Sequence, residues 1–329
     1  MARKKMDFNI NNRLKFELEN ELTAQNSIET SRFFELHQNF MNDKALEGLR
    51  DRTLYDYRQH MKYFKKYIDT IATDYKNRIT VETFKSYVYY MSIEKKLSNF
   101  TVNCRLRTLK VYLNWLYENK IITSNFSIKI KLLRVPQDTV KPLTNQEVRK
   151  MLNCCDMGTY SGFRDYTLMI LILDCGVRIG EASNLLITDI DFKQSILTIR
   201  AEVSKTNEMR YLPLSIKTLK LLKVLVEFAN TTDSPYLFQS IYGGHIKERN
   251  LMLSFRRVGE KAKLKVRCTP YNFRHTFATN AVKNGMDIFT LQRIMGHKNI
   301  NTTRKYIQLE TEDLKNKHGQ INVLDSYFK

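Results

Sequence analysis

Cysteine is scarce in this sequence, which holds only five in 329 residues. Their number is odd, and none of them has the Cys-x-x-Cys spacing that is typical of zinc ligands and redox pairs. We therefore expect neither a disulfide framework nor a metal site, and a reducing compartment such as the cytoplasm fits best. The five are Cys104, Cys154, Cys155, Cys175 and Cys268.

Long hydrophobic runs are also missing. The longest mostly apolar stretch lies near residues 168–173, whereas a membrane-spanning helix needs about 20 such residues. The first five residues are largely basic but lead into polar sequence, so they lack the apolar segment of a secretory signal peptide. The sequence thus predicts no membrane partner.

Acidic residues are too few to balance the basic ones. There are 34 Asp and Glu against 54 Lys and Arg, which gives a formal net charge of +20. Such a balance indicates a polyanionic partner, most often nucleic acid, although a merely soluble basic protein is the alternative. The hydrophobic content of 43% is ordinary for a globular protein, and the length allows two domains with separate cores.

The first 141 residues divide into an arm, a helical domain and a linker. Residues 1–28 are polar, apart from three leucines at every fourth position that predict a short helix. Residues 29–130 hold four segments with the apolar periodicity of helices, which start near positions 31, 53, 81 and 99. Prolines at 136 and 142 favour extended backbone, so residues 131–141 are predicted to form an ordered basic linker.

Basic side chains line the second and fourth predicted helices. Few acids accompany them and tyrosines lie between them, which suits contact with the phosphates of duplex DNA. A solvated helix face is the ordinary alternative. The predicted DNA-binding residues are Arg58, Lys62, Lys65, Arg105, Arg107 and Lys110, with Lys131 and Arg134 in the linker.

The second predicted domain comprises residues 142–329. Thr144 and Glu147 have the spacing of a capping box and begin its first helix. Residues 195–201 alternate in polarity and residues 210–214 return, which is typical of a hairpin. Together with the helical segments, the hairpin predicts a mainly α protein with a small β-sheet, in the α+β class.

An arginine follows a buried helix in this domain. The helix, residues 165–173, is mostly apolar and is expected to end at Gly176. Arg178 comes directly after it, and a charge held there needs a partner. Glu181, three positions later, could be that partner, or it could orient Arg178 towards an anionic ligand.

Two further helices and a short third one are predicted near the end of the sequence. Thr269 can cap the first, with Pro270 at its first helical position, and Gly285 can end it. Asp287 can cap the second, and Gly296 can end that one.

These helices carry an unusual density of Arg, His and Tyr. Tyr271, Arg274 and His275 lie at positions i, i+3 and i+4, so they share one helix face. His297 directly follows the predicted end of the second helix, and Tyr306 lies nine positions further along.

The order and spacing of these motifs resemble those of the tyrosine recombinase (phage integrase) family. Arg178 lies in Gly-Val-Arg-Ile-Gly-Glu, Lys205 lies in the hairpin turn, Arg274 precedes His-Thr-Phe-Ala-Thr, and a Gly-His pair precedes Tyr306. Each motif alone is weak, but four in the correct order are specific. The resemblance covers about residues 30–310. It implies a helical core-binding domain followed by a tyrosine-recombinase catalytic domain.

The function that this resemblance implies is that of a site-specific DNA recombinase of the integrase or transposase type. Tyr306 would attack a DNA phosphodiester and form a 3′-phosphotyrosyl link. Arg178 and Arg274 would hold the nonbridging oxygens, Lys205 would protonate the leaving 5′ oxygen, and His297 would hydrogen-bond the same phosphate. The implied catalytic residues are Arg178, Lys205, Tyr271, Arg274, His297 and Tyr306, with Glu181 as a support for the first arginine.

Cofactors and partners follow from the same resemblance. The phosphotyrosyl bond conserves the energy of the cleaved bond, so rejoining needs no nucleotide cofactor, and no metal is required. The implied partners are double-stranded DNA and further copies of the chain, from dimer to tetramer on DNA. The apolar residues in the tail, residues 307–329, could pack on their own domain or on a neighbouring copy.

One position departs from the family pattern. Tyr271 stands three positions before the second arginine, where the family usually has histidine. An unperturbed tyrosine has a pKa of about 10 and mainly donates hydrogen bonds, whereas histidine exchanges a proton near neutral pH. Tyr271 could be a working substitute or a sign of lost activity. A DNA-binding regulator on the same fold is therefore one alternative function. A type IB topoisomerase, which shares the chemistry, is another, although the two-module layout and the terminal tail favour recombination.

Overall fold

The computed structural model describes residues 27–135, 142–266 and 268–306. In these ranges the chain is mainly helical with two small antiparallel sheets, which confirms the predicted α+β class, and none of their helices is long and apolar enough to cross a membrane. Backbone contacts divide the chain into two compact units, Met1–Gln137 and Asp138–Lys329. The predicted arm helix, most of the linker and the C-terminal tail lie outside the described residues.

Helices make up most of the first unit. In chain order it contains β1 (Ser27–Glu29), α1 (Thr30–Glu35), α2 (His37–Leu46), α3 (Asp51–Thr70), β2 (Arg78–Thr80), α4 (Val81–Tyr89) and α5 (Asn99–Glu118). The first of the four predicted helical segments is divided at Leu36 into α1 and α2. β1 pairs antiparallel with β2. The sequence does not predict this sheet, because strands of three residues are too short to show alternation.

An aromatic core holds the first unit together. Phe33, Phe64 and Phe84 are fully buried, and Phe64 stacks on Phe84 with ring centroids 5.2 Å apart. Tyr112 is buried beside them, and its hydroxyl donates to the carbonyl oxygen of Phe33 over 2.6 Å, so the phenol is satisfied. The buried sides of α3 and α5 are the apolar faces that the helical periodicity predicts.

The second unit packs helices around one antiparallel sheet in the order β3-β4-β5. Leu197 lies opposite Leu212 in the register, and both are fully buried, so the inner face of the predicted hairpin belongs to the core. In chain order the unit contains α6 (Asn145–Asn153), α7 (Tyr160–Cys175), α8 (Ile179–Ala182), β3 (Ile190–Asp191), β4 (Ile196–Ile199), β5 (Arg210–Pro213), α9 (Ile216–Ala229), α10 (Glu248–Lys261), α11 (Pro270–Lys283), α12 (Ile288–Met295) and α13 (Asn301–Arg304).

The predicted helix ends in this unit are confirmed. Thr144 and Thr269 form capping boxes at the starts of α6 and α11, and Asp287 accepts two backbone hydrogen bonds at the start of α12. Gly176 ends α7 and Gly296 ends α12, both in the left-handed conformation with φ of 65° and 60°. The chain therefore turns sharply just before Arg178 and again just before His297, two of the predicted site residues.

Gly176 lies where α7 packs against α11. Its left-handed backbone favours glycine, and a β carbon at this position would overlap the ring of Phe277. Its carbonyl oxygen accepts a hydrogen bond from Arg274 on α11. The end of α7 is thus fixed by its backbone, by close packing and by a buried arginine.

We expect Gly176→Ala to lower the free energy of unfolding by about 3 kcal/mol. Alanine adds about 1 kcal/mol of left-handed backbone strain and about 2 kcal/mol of overpacking. Gly285→Ala is the matched control: Gly285 also has a positive φ, 89°, but its added β carbon meets no described atom within 4 Å. The control should lose only the strain of about 1 kcal/mol. Urea unfolding measures both variants, and equal losses would contradict the importance of the packing against Phe277.

Candidate active site

Arg178 and Glu181 form an ion pair at the start of α8. Glu181 is 2% exposed, and its Oε1 accepts a hydrogen bond from Nη1 of Arg178 over 2.9 Å. The backbone N–H of Arg178 donates to Oε2 of the same carboxylate, also over 2.9 Å. Nη2 of Arg178 donates to the carbonyl oxygen of Gly296 over 2.6 Å. The first predicted arginine is therefore held between an acid and the turn after α12.

Arg210, which the sequence analysis did not select, completes this ion-pair cluster. It lies on β5 and donates to both oxygens of Glu181, over 3.0 Å and 2.5 Å, in a bidentate arrangement. Its Nε donates to the carbonyl oxygen of Ile294 over 2.9 Å. A signal for it exists in the sequence, because Arg210 lies two positions before the buried Leu212 and so shares the inner face of the strand. A charge on an inner face needs a partner.

The carboxylate of Glu181 stays ionised at neutral pH. Burial alone would raise its pKa, but the hydrogen bond and charge of Arg210 and the charge of Arg178 outweigh burial and hold the pKa below its ordinary range. One buried anion is thus shared between two arginines from distant parts of the chain.

Arg274 is the most deeply buried of the predicted arginines, with 5% of its surface exposed. It donates to the carbonyl oxygens of Gly176 and, over 2.6 Å, of Met295. Burial, together with the charge of Arg178, lowers the pKa of Arg274 to about 9, so the guanidinium stays charged at neutral pH. The two predicted arginines therefore bind neighbouring carbonyl groups at the end of α12.

His297 is neutral, and its tautomer follows from its contacts. Nη2 of Arg274 lies 3.1 Å from Nε2 of His297, and arginine can only donate, so Nε2 accepts. The proton is then on Nδ1, which donates to Oγ1 of Thr303 over 2.9 Å. Burial, followed by the charges of Arg274 and Arg178, lowers the pKa of His297 to about 3, in agreement with a neutral ring.

Tyr306 is 5% exposed and lies in a small apolar cluster with Phe277, Leu291 and Met295. Its ring centroid is 5.0 Å from that of His275 on α11. Burial, followed by Tyr271, raises the pKa of Tyr306 to about 12, although the charges of Arg274 and Arg178 act in the opposite direction. The phenol is therefore protonated in the free protein, close to α11, which carries Arg274, and to the end of α12, which His297 follows.

Tyr271 lies at the surface next to Tyr306. It is 46% exposed, and its ring is nearly parallel to that of His275 at 6.2 Å. Its hydroxyl oxygen accepts a hydrogen bond from Nζ of Lys305 over 2.9 Å. Lys305 is a second residue that is not predicted from the sequence. It lies 34 positions after its partner Tyr271, and no local pattern joins the two.

Lys205 is exposed in the turn between β4 and β5. Within the described residues, no contact joins it to the other predicted site residues. A groove of about 950 Å³ lies beside this turn, between β5 and α12. Its walls include Thr206, Arg210 and His297. The turn that carries Lys205 therefore borders the cluster without entering it.

Most of the predicted DNA-binding residues of the first unit are exposed to solvent. Those exposed are Arg58, Lys62, Lys65, Arg107, Lys131 and Arg134. Arg105 is half-buried, and its guanidinium lies 4.1 Å from the ring centroid of Tyr63, an exposed aromatic on α3. A cationic surface with an aromatic member thus runs over α3 and α5.

Lys110 differs from the other predicted DNA-binding residues, because its side chain is half-buried. Its Nζ donates to the carbonyl oxygens of Ser127 and Ile130, over 2.7 Å and 2.6 Å, and burial lowers its pKa. This lysine ties the 3₁₀ turn at Phe126–Lys129 to α5. The position of a lysine on a helix face does not show that carbonyl groups from further along the chain accept its hydrogen bonds.

We expect Arg210→Met to lower the free energy of unfolding by about 3 kcal/mol at pH 7, because it leaves a buried carboxylate with one of its two cations. The pKa of Glu181 is lowered in the folded wild type. The ionised carboxylate therefore adds to the free energy of unfolding above the unfolded pKa of about 4.3, and this stabilisation is lost as pH falls. Without Arg210, burial raises that pKa. The deficit of the variant should therefore shrink between pH 7 and pH 4, as urea unfolding at several pH values would measure.

The matched control is Arg256→Met, which breaks an exposed pair with Glu260 whose side chains are 59% and 62% exposed. Exposed pairs contribute at most about 1 kcal/mol. A deficit for Arg210→Met that equals that of the control, or that grows as pH falls, would contradict the assignment of the buried cluster.

Two protein-family models match this sequence. Residues 141–313 match the model of the phage integrase family, and residues 32–132 match that of the phage integrase SAM-like domain. Tyrosine recombinase XerC of Oceanobacillus iheyensis is 24% identical over 268 residues, which cover 78% of this chain and 87% of that protein.

Solved structures share the fold. The Tn1549 transposon integrase in complex with circular intermediate DNA gives a TM-score of 0.72 at 20% identity, and the match covers 88% of this chain and 99% of that one. A lambda integrase tetramer bound to a Holliday junction gives a TM-score of 0.68 at 16% identity, and the match covers 94% of this chain and 90% of that one. Since the first family model alone spans more than half of the sequence, the chain belongs to the phage integrase family of tyrosine recombinases.

Proposed function

We propose that the protein is a site-specific DNA recombinase of the integrase or transposase type, which cleaves and rejoins DNA through a 3′-phosphotyrosyl intermediate. One observation carries the proposal: Arg178 and Arg274, from two distant segments, donate to the neighbouring carbonyl groups of Gly296 and Met295, close to Tyr306. The tyrosine recombinase names of the relatives support the same conclusion.

Arg178 and Arg274 are the proposed phosphate clamp. A guanidinium has five N–H donors in one plane, and contacts among the described residues use two in Arg178 and three in Arg274. The others can bind the nonbridging oxygens, on which charge builds in the transition state. Loss of one such donor raises the barrier by about 3–4 kcal/mol. Glu181 offsets only one of the positive charges of Arg178, Arg210 and Arg274, so the cluster attracts an anion.

Tyr306 is the proposed nucleophile. Its phenol oxygen forms a bond to phosphorus while the bond from phosphorus to the 5′ oxygen breaks. The phenol releases its proton to solvent, and the leaving 5′ oxygen takes a proton from Lys205. Because burial raises the pKa of Tyr306 to about 12, the attack depends on the nearby charges of Arg274 and Arg178, which favour the phenolate.

His297 and Tyr271 are the proposed hydrogen-bond donors to the same phosphate. In the free protein Nε2 of His297 accepts from Arg274, so a bond from Nε2 to a phosphate oxygen needs a proton on that nitrogen. The negative charge of a bound phosphate favours that proton. The exposed hydroxyl of Tyr271 can donate without any change of charge. We therefore infer that it is a working substitute for the histidine of the family pattern.

Double-stranded DNA is the proposed substrate. The net charge of +20 and the cationic surface on α3 and α5 support phosphate contacts that position a duplex without reading its sequence. The proposed contacts are Arg58, Lys62, Lys65, Arg105 and Arg107, continued by Lys131 and Arg134. Lys110 is not among them.

The proposed domain organisation is a core-binding domain at residues 29–130, a basic linker at 131–141 and a catalytic domain at 142–329. The tetramer of lambda integrase on a Holliday junction supports self-association on DNA, from dimer to tetramer. The tail at residues 307–329 is the segment we propose to dock on a neighbouring copy. The proposed location is the cytoplasm, on DNA, and the proposed chemistry uses no cofactor and no metal.

The protein should form a denaturant-stable adduct with a nicked suicide substrate that carries its cognate site. That site is first obtained by sequencing the DNA that the purified protein binds. Tyr306→Phe should form no adduct while it binds the site with unchanged affinity, since only one hydroxyl is lost. Denaturing gel electrophoresis measures the adduct, and a gel-shift assay measures the affinity.

Two results would contradict this proposal in different ways. An adduct that survives Tyr306→Phe would exclude this residue as the nucleophile. A wild-type protein that binds the site tightly and forms no adduct would instead identify a DNA-binding regulator on the same fold.

Lys62→Gln combined with Lys65→Gln should weaken binding to every DNA sequence alike. Each phosphate contact contributes about 0.9 to the slope of log K against log salt concentration, so the slope should fall by about 1.8. The control combines Lys44→Gln with Lys85→Gln, which changes the net charge equally at two lysines paired with neighbouring glutamates. Fluorescence anisotropy over a salt series gives both slopes. Equal slopes for the two double variants would show that α3 does not contact DNA.

A further inference from the structure

Lys305 lies directly before the proposed nucleophile and contacts the residue that departs from the family pattern. Its Nζ is 2.9 Å from the hydroxyl oxygen of Tyr271. An ammonium group has three donors and no acceptor, so in this contact the Tyr271 oxygen accepts. The hydroxyl hydrogen of Tyr271 is then directed to another acceptor. The contact thus orders an exposed phenol as a hydrogen-bond donor.

The same ammonium group lies beside the nucleophile. Nζ of Lys305 is 5.5 Å from the ring centroid of Tyr271 and 5.3 Å from that of Tyr306. The ring of His275 contacts both tyrosine rings, with its centroid 6.2 Å from that of Tyr271 and 5.0 Å from that of Tyr306. One cation is therefore shared by two phenols that come from α11 and from the segment after α13.

We propose that Lys305 is a positioning residue that acts with Tyr271 in place of the histidine of the family pattern. It aims the Tyr271 hydroxyl at the scissile phosphate and places a positive charge beside Tyr306 as that phenol loses its proton. The inference rests on the proposed recombinase function and names a part that the family motif does not contain.

The reaction itself is balanced without a proton from Lys305. The bond between Tyr306 and phosphorus forms and the bond from phosphorus to the 5′ oxygen breaks. The phenol releases its proton to solvent, and the 5′ oxygen takes a proton from Lys205. Lys305 stays an ammonium throughout and supplies charge and one hydrogen bond. Because its contact with Tyr271 is exposed, it contributes little to folding, so its effect belongs to the reaction.

The test compares Lys305→Met with Arg304→Met, which removes the same charge from the exposed neighbour one position earlier. Cleavage of the nicked suicide substrate is followed in single turnover at saturating protein, and affinity is measured separately. Lys305→Met should slow cleavage by about tenfold to a hundredfold, the range for one hydrogen bond to a charged group. Its affinity should change no more than that of Arg304→Met, and Lys305→Arg should recover most of the rate.

Tyr271→Phe tests the pair independently, since it keeps the ring and removes only the exposed hydroxyl. It should slow cleavage to a similar degree, and the double variant with Lys305→Met should lose little more, because two residues that act as one unit are not additive. Circular dichroism and urea unfolding identify any variant that fails to fold, in which case Tyr271→Phe and Lys305→Arg decide the question.

Cleavage by Lys305→Met at the rate of Arg304→Met would overturn the inference and leave Lys305 an ordinary surface cation. Losses that multiply in the double variant would overturn the pairing. Both results presuppose that the wild type forms an adduct. A wild type that forms none would overturn the proposed function instead, so the two failures are distinct.

Discussion

The buried carboxylate of Glu181 is the interaction on which the rest of the catalytic unit depends. Burial, followed by the charges of Arg178 and Arg210, lowers the pKa of Arg274, and the charge of Glu181 acts in the opposite direction. By accepting hydrogen bonds from both Arg178 and Arg210, it holds the start of α8 against β5. Buried ion pairs often contribute little net stability because both charges lose their hydration. The gain here is geometric, since the guanidinium of Arg178 is fixed before any ligand arrives.

The end of α12 provides the second half of this arrangement. A helix leaves its last carbonyl groups without partners and with partial negative charge, which suits cations. Three consecutive carbonyl oxygens, those of Ile294, Met295 and Gly296, accept from Arg210, Arg274 and Arg178 respectively. The left-handed turn at Gly296 then directs the chain to His297. Arg178, Arg210 and Arg274 come from segments that are far apart in the sequence. They therefore meet at the end of α12, close to Tyr306.

Local signals predict most of the fold, and long-range partners account for what they miss. The caps at Thr269 and Asp287 and the hairpin around Lys205 are readable, because each depends on neighbours within a few positions. Arg210 gives only a weak signal, its place on the inner face of a strand, and nothing local pairs it with Glu181. The helix face that carries Lys110 does not show that the carbonyl groups of Ser127 and Ile130 lie over this lysine. Lys305 gives no local signal, because its partner Tyr271 lies 34 positions earlier, on α11. The proposed roles of the site residues come from the family pattern, whereas the structure shows which groups hold them in place.

We propose that this charge cluster serves a covalent reaction of Tyr306 with DNA. The most direct measurement is peptide mapping by mass spectrometry of the complex trapped on a nicked substrate, after digestion of both protein and DNA. We expect one modified peptide, with a nucleotide joined through its 3′ phosphate to Tyr306. A nucleotide on any other residue, or a linkage through a 5′ phosphate, would contradict it.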